Sequence, residues 1–373
     1  MRRRRALAAA LLGAAVLAAG CGGSPATRPS AGPPRVSSGV PADFIGLVSE
    51  DTFGAGAAYR DRTFGRERSA GVRLIRQPFR WRDVERAPGR YDFGRIDAFM
   101  ASAARSRLRV LPILIDPPDF RSSAPTRGAR RGTYPPRHDG DLGRYGAVLA
   151  RRYGPNGSFW RSRTDLRANP IRSWQVWNEP NLPAYWASGP DPAAYARLLL
   201  ATARELRRAD PHAEVVGAGL SQSRLGTPFD AYVRGVYRAG GGKGMDVFAL
   251  HPYAGNAAGT LQAVEAARRL LDRLGASQPI WITEFDWASS GPPSPFTLGE
   301  SGQARELRAA IAGFAMRRKE LGIRGAVYYD WRDSGTYPGG RDFFGLHTGL
   351  LRLDGSAKPA LAALRLAAVP TGR

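Results

Sequence analysis

Short runs of β-branched and aromatic residues alternate with amphipathic stretches eight times between residues 41 and 373. No other feature of the chain limits its fold as sharply. The strand-like runs fall at 44–49, 73–78, 109–115, 173–177, 214–218, 246–250, 279–283 and 326–329. Several are apolar without a break, as in Val110-Leu111-Pro112-Ile113-Leu114-Ile115. A strand with one wet face would alternate, whereas an unbroken run fits a strand covered on both faces, as in a parallel sheet. Between the runs, residues 192–208 carry an apolar stripe, basic residues in the last turn and Asp191 in front as an N-cap. Residues 260–274 and 303–321 read the same way, and 359–366 closes the series. Eight β-then-α units in about 330 residues predict an α/β fold, a single (β/α)8 TIM barrel. A doubly wound open sheet is the alternative, but no Gly-rich phosphate fingerprint follows the first run.

The first 40 residues stand apart from this alternation. Residues 2–5 are all Arg, and residues 6–20 are all Ala, Leu, Val or Gly. A basic start followed by a short apolar run is a signal-peptide pattern, too short for a permanent bilayer span. Leu17-Ala18-Ala19-Gly20 leads into Cys21, the one cysteine of the chain. Small residues before a lone Cys resemble a bacterial lipobox, so Cys21 is the candidate lipidation site. The Gly, Ser and Pro-rich stretch that follows cannot bury a core. The sequence thus predicts a signal peptide at 1–20, a flexible tether with Cys21 at 21–40, and a barrel domain at 41–373. It also predicts an exported monomer, held by a lipid on the outer face of the cytoplasmic membrane or at the cell surface. Its membrane contact is expected only through that anchor. A single cysteine excludes an intramolecular disulfide and a Cys-based zinc site.

The formal net charge of +23 invites a nucleic-acid reading. Only Lys243, Lys319 and Lys358 among the 55 basic residues are lysines, however. Lysine also holds phosphates, so so lopsided a ratio fits a compositional bias better than selection for binding. Setting residues 1–40 aside lowers the charge to +17. No nucleic-acid motif underlies it, and no nucleic-acid partner is expected. The four His, at 138, 212, 251 and 347, show no ligand spacing, so no metal is expected. No organic cofactor is implied either, and no G-x-S-x-G elbow points to a serine hydrolase.

Barrel enzymes act at the C-terminal ends of their strands. The fourth run leads into Asn178-Glu179-Pro180 and the seventh into Glu284-Phe285. A carboxylate directly after an apolar strand is costly to bury without a purpose. With these residues in view, the chain resembles the retaining glycoside hydrolases of clan A, which include cellulase-like and β-xylosidase-like families. The resemblance covers 41–373. It implies hydrolysis of O-glycosidic bonds in a polysaccharide or oligosaccharide by double displacement, with Glu179 as acid/base and Glu284 as nucleophile. Arg76 resembles the strand-2 arginine that would keep Glu284 ionised. Asn178 resembles the residue that bonds the sugar 2-OH. His251-Pro252-Tyr253 resembles a His-x-Tyr that orients the nucleophile, and Trp331 the aromatic platform under the reacting sugar.

The chain departs from the clan at Asp116-Pro117-Pro118-Asp119-Phe120, where many members carry a His. The loop at 121–140, with Arg121, Arg127, Arg130, Arg131 and Arg137, would suit an anionic glycan or simply follow the arginine bias. Phe79, Trp81, Tyr185, Trp186 and Trp287 are candidates for further sugar subsites. Two other functions share the fold: a glycan-binding protein without catalysis, and a transglycosylase using the same covalent intermediate.

Overall fold

The computed structural model describes residues 39–125, 133–223, 225–335 and 340–368. The expected signal peptide, Cys21, and the tether up to residue 38 lie outside the described residues. Packing begins at Val40, which is buried.

Eight strands run parallel: β1 (Ile45–Val48), β2 (Leu74–Arg80), β3 (Arg109–Ile115), β4 (Ser173–Val176), β5 (Glu214–Val216), β6 (Phe248–His251), β7 (Ile280–Phe285) and β8 (Ile323–Tyr328). A short continuation of β5, Leu220–Ser221, makes the ninth piece of the sheet. The sheet order starts at β5, passes through β4, β3, β2, β1, β8, β7 and β6, and ends on that continuation. Its two edges are therefore two parts of one strand. The Val216–Val247 bridge and the bond from Gly217 N to Val247 O (2.9 Å) join β5 to the start of β6. With β1 paired to β8, the ring closes and this sheet has no open edge among the described residues.

Among the described residues, eight α-helices longer than five residues cover the outside: α1 (Ala57–Ser69), α2 (Gly94–Arg105), α3 (Asp139–Tyr153), α4 (Pro192–Ala209), α5 (Phe229–Arg238), α6 (Ala257–Arg273), α7 (Gly299–Leu321) and α8 (Pro359–Ala368). The α4 start is capped as its sequence predicts. The Asp191 carboxylate accepts from Ala193 N (2.9 Å) and Ala194 N (3.0 Å), with Pro192 in the first turn. At the other end of α7, Gly322 takes the left-handed conformation (φ 64°) that stops the helix. The apolar stripes of these helices pack on the outward-facing strand residues, Ile75 and Phe79 of β2 among them.

The period of two in each strand sends the other residues inward. Val48, Leu74, Leu111, Val216, Val247, Ala249, Trp281 and Val327 fill the barrel interior as a separate apolar layer. Above that layer, toward the C-terminal ends, the same alternation places Arg76, Pro78 and Arg80 of β2 on the wall of a cleft. All strands but β3 shift by one to three residues from their predicted bounds, and two of these shifts have a readable cause or consequence. β8 begins at Ile323 rather than 326, because Gly325 interrupts the apolar run without interrupting the strand. A side chain there would press on the Phe44 carbonyl, so the position favours glycine. β7 runs on to Phe285, which takes Glu284 into the strand itself.

Candidate active site

The cleft at the C-terminal end of the barrel has a volume of about 680 Å³. Asn178, Glu179, Tyr253, Glu284 and Arg76 all line it. Two backbone irregularities aim the carboxylates. In β7, Ile282 pairs with Ala326 and Phe285 with Tyr328, so Thr283 and Glu284 together stand opposite the single residue Val327 of β8. That bulge shifts the alternation by one, and both Thr283 and Glu284 turn inward while Ile282 and Phe285 stay in the outer core. In β4, the chain beyond Val176 passes through left-handed conformations at Trp177 (φ 72°) and Glu179 (φ 41°). Such conformations cost about 1–3 kcal/mol each outside glycine and persist where surrounding structure imposes them. Here Glu179 N bonds to Gly219 O (3.1 Å) and Trp177 N to Leu114 O (3.0 Å).

Arg76 is 2% exposed and ties three strands together. Its Nε donates to Gln175 Oε1 (2.8 Å), one terminal nitrogen to Asn178 Oδ1 (2.7 Å) and the other to Glu284 Oε1. The second oxygen of Glu284 accepts from the Tyr253 hydroxyl at 2.8 Å. Glu179 has a different partner, His251 Nδ1, at 2.9 Å. The other nitrogen of that ring meets Thr283 Oγ1 at 3.1 Å. A side chain at Gly219 would overlap the His251 ring, so that glycine makes room for it.

These neighbours push the two carboxyls apart. Burial raises Glu179 above the usual glutamate range, and its bond to His251 opposes this only in part. Burial acts on Glu284 too, but there His251 and the Arg76 guanidinium, with the bonds from Tyr253 and Arg76, win and hold it below that range. One oxygen of each carboxylate and a nitrogen of His251 lie within 4.8 Å of one another. Such a trio has metal-ligand chemistry in principle. Both Glu284 oxygens already accept from Arg76 and Tyr253, however, and a cation would have to displace a fixed cation.

The structure brings Arg76, Asn178, Glu179, His251, Tyr253 and Glu284 together. It does not bring Trp331 to them. Trp331 is 1% exposed, lies under Arg66 of α1 and does not line the cleft. Beyond β8, Trp331 N still bonds to Val48 O (3.0 Å), while the Asp330 and Trp331 carbonyls accept from Leu350 N and Leu351 N (3.1 and 3.0 Å). Tyr329 stands on the cleft wall instead. His251 is fully buried behind the carboxylates, so it positions them and does not touch substrate. Phe79, Trp81, Trp186 and Trp287 are core residues, and only Tyr185 of that group faces the cleft. Arg121 reaches Glu85 (3.5 Å) and Asp141 (3.7 Å), and Arg137 Nε bonds to Ser122 O (2.8 Å). Neither lines the cleft, while Arg127, Arg130 and Arg131 lie outside the described residues.

Two acids of the cleft escaped the sequence reading. Glu50 follows the end of β1, and Asp286 stands two residues beyond Glu284, on the same side of the chain. Burial, then the charges of Glu284 and Glu179, pushes the Asp286 carboxyl well above its usual range. Its spacing of two from Glu284 was the available signal.

Residues 154–309 match a family model described as the glycosyl hydrolase catalytic core, a span that holds both glutamates, Asn178, His251 and Tyr253. The resemblance to clan A (β/α)8 glycoside hydrolases holds. A family 39 glycoside hydrolase from Bacteroides cellulosilyticus WH2 superposes with a TM-score of 0.66 at 21% identity, over 89% of this chain and 64% of that one. A family 39 β-xylosidase from Caulobacter crescentus gives 0.64 at 20%, over 91% and 74%. An exo-β-1,4-mannosidase from Opitutaceae bacterium strain TAV5 gives 0.58 at 18%, over 89% and 61%. The chain thus spans under two thirds of the first and last of these, and at such identities the likeness is one of fold. No curated protein matches the chain by sequence.

Proposed function

We propose that the protein is a retaining glycosidase acting on O-glycosidic bonds of a carbohydrate substrate. The observation that carries this is the separation of Glu179 and Glu284, whose nearest oxygens lie within 4.8 Å. Retaining enzymes hold their carboxyl groups about 5–5.5 Å apart, while inversion needs about 6.5–9.5 Å to admit a water. The opposite displacement of the two acidities supports the roles. Glu179 keeps its proton and delivers it to the departing oxygen. Glu284 stays ionised and attacks the anomeric carbon, giving a glycosyl-enzyme. Glu179, now a carboxylate, takes a proton from water, which attacks the anomeric carbon and releases Glu284. Asn178 presents its amide nitrogen to the sugar, since its oxygen is engaged by Arg76. Tyr329 takes the stacking role first expected of Trp331.

A 2-deoxy-2-fluoro glycosyl fluoride series, in several sugar configurations, tests the assignment. The fluorine slows both steps, the fluoride leaving group rescues the first, and the adduct accumulates. Peptide mass spectrometry should find it on Glu284. Labelling of another residue, or of none across the series, overturns the proposal. Export and lipid anchoring complete the reading: Cys21→Ser should move the protein from the membrane fraction to the soluble one, and an unchanged distribution removes the anchor.

A further inference from the structure

Two charged side chains of the cleft keep their hydrogen-bonding groups open. Glu50 lies just past β1 and Arg80 ends β2, and both line the cleft. Among the described residues, the Glu50 carboxyl makes no hydrogen bond and no ion pair, and the Arg80 guanidinium reaches only Asp116, at 3.7 Å. That distance is too long for a hydrogen bond, and Asp116 has a nearer cation in Arg82, at 2.9 Å. The Arg80 side chain is 48% exposed. Glu50 is an exposed residue too, yet burial leads the causes that raise its carboxyl above the usual glutamate range. A side chain that water reaches while protein surrounds its charge is one that projects into a concavity.

Their place says which part of a substrate they meet. Round the ring, β1 stands two strands from β7, which carries Glu284, and three from β4, which leads into Glu179. The charges that act most on Glu50 are, in order, those of Arg80, Glu284, Arg76 and Asp51, and Glu179 is not among them. In turn, Glu50 is the charge that acts most on Tyr329, and on the buried Asp330 beside it. The leaving group departs past Glu179, so side chains grouped with Glu284 and Tyr329 face the sugar that is transferred. Stacking on Tyr329 uses the face of a sugar ring and leaves its hydroxyl-bearing edge for polar side chains.

A hydroxyl both donates and accepts, and these two residues supply one partner of each kind: the carboxylate accepts and the guanidinium donates. A charged group on the sugar would suit only one of them. A carboxylate there would face Glu50 and Glu284, and an ammonium would face Arg80 and Arg76. On the Proposed function reading, we infer that Glu50 and Arg80 bind the transferred sugar and select a neutral one, with Glu50 accepting from its hydroxyls and Arg80 donating to them.

The fluoride probes carry the transferred sugar and no organic leaving group, so they report on this contact alone. With the sugar that labels Glu284 most rapidly, Glu50→Ala and Arg80→Ala should each slow labelling by about ten- to a hundredfold, the worth of a hydrogen bond to a charged group. Both variants should melt with the wild type, since neither side chain hydrogen-bonds within the described protein. Analogues of the probe that lack each remaining hydroxyl in turn locate the contact. On one of them, wild type and Glu50→Ala should label within about threefold of each other. A uronic acid probe of the same ring configuration should label the wild type more slowly than the neutral one. Labelling unmoved by Glu50→Ala or by Arg80→Ala, an equal penalty on every deoxy probe, or faster labelling by the uronic acid overturns the inference. So does a Glu50→Ala enzyme whose acidic limb moves down while its maximum holds, because that is the effect of the lost charge on Glu284 without any contact. Each of these outcomes, with Glu284 labelled in the wild type, defeats this inference alone. No labelling of the wild type across the series defeats the glycosidase reading and the inference with it.

Discussion

Glu179 and Glu284 are the same residue type at the ends of parallel strands, with oxygens within 4.8 Å of each other, yet their acidities move in opposite directions. Burial acts on both in the same sense, so burial does not distinguish them. The donors do. Glu284 accepts from Arg76 on β2 and from Tyr253 beyond β6, whereas Glu179 meets the His251 ring. A strand end supplies a position for a carboxylate, and the neighbouring strands decide whether it serves as acid or nucleophile. The contrast also fixes a pH window. On the proposed mechanism, activity requires Glu284 ionised, so it is gained as pH rises through that depressed pKa. It also requires Glu179 protonated, so it is lost as pH rises through that elevated one.

The largest expected effect comes from erasing the nucleophile. Glu284→Gln keeps the shape and one oxygen to accept from Arg76 but cannot attack, and kcat should fall by more than about 10⁴-fold on every substrate. A loss below about a hundredfold would place the nucleophile elsewhere. Glu179→Ala should behave differently, because a good leaving group departs without a proton. We expect about 10²- to 10⁴-fold loss with alkyl glycosides and far less with 2,4-dinitrophenyl glycosides. Equal losses on both would break the contrast between the two residues.

How much of this contrast was legible in the sequence follows from what each part depends on. The eight-unit alternation, Glu179 and Glu284 could be read because burial on both faces leaves unbroken apolar runs, and a charge directly after such a run stands out. Arg76, Asn178 and Tyr253 came with the resemblance, and they do meet in space. The bulge that turns both Thr283 and Glu284 inward was not legible, because it exists only in the pairing of β7 with β8. The contact between His251 and Glu179 spans 72 residues and depends on Gly219, whose role appears only once the ring is seen beside it. Trp331 misled because an aromatic residue after a strand looks the same in sequence whether its side chain enters the cleft or, as here, is buried under Arg66.

A smaller effect should come from loosening the donor side of the contrast. Arg76→Lys retains a cation but loses the fork that reaches Gln175, Asn178 and Glu284 together. With less to offset its burial, Glu284 would ionise at a higher pH. The acidic limb of kcat/KM should therefore move up, by about 1 unit, and the maximum should fall by roughly ten- to a hundredfold. An acidic limb that stays in place would mean that His251 and Tyr253 alone hold Glu284 ionised.

The smallest effect tests the acid side. His251 Nδ1 faces Glu179 Oε1 at 2.9 Å and Glu284 Oε2 at 3.5 Å. A lone pair at that nitrogen would oppose the ionised Glu284, so in the neutral ring Nδ1 carries the hydrogen and Nε2 accepts from the Thr283 hydroxyl. That arrangement donates to Glu179 and favours its ionised form. Thr283→Val removes the hydroxyl at nearly constant volume and leaves Nε2 without its partner, so the ring that donates to Glu179 is held less firmly. The alkaline limb should then move up, while kcat at the optimum changes by only about fivefold, the net worth of one buried hydrogen bond. Thr283→Ser should restore the original limb. If instead the valine variant loses activity with both limbs unmoved, Thr283 serves packing alone, and the tautomer of His251 is set without it.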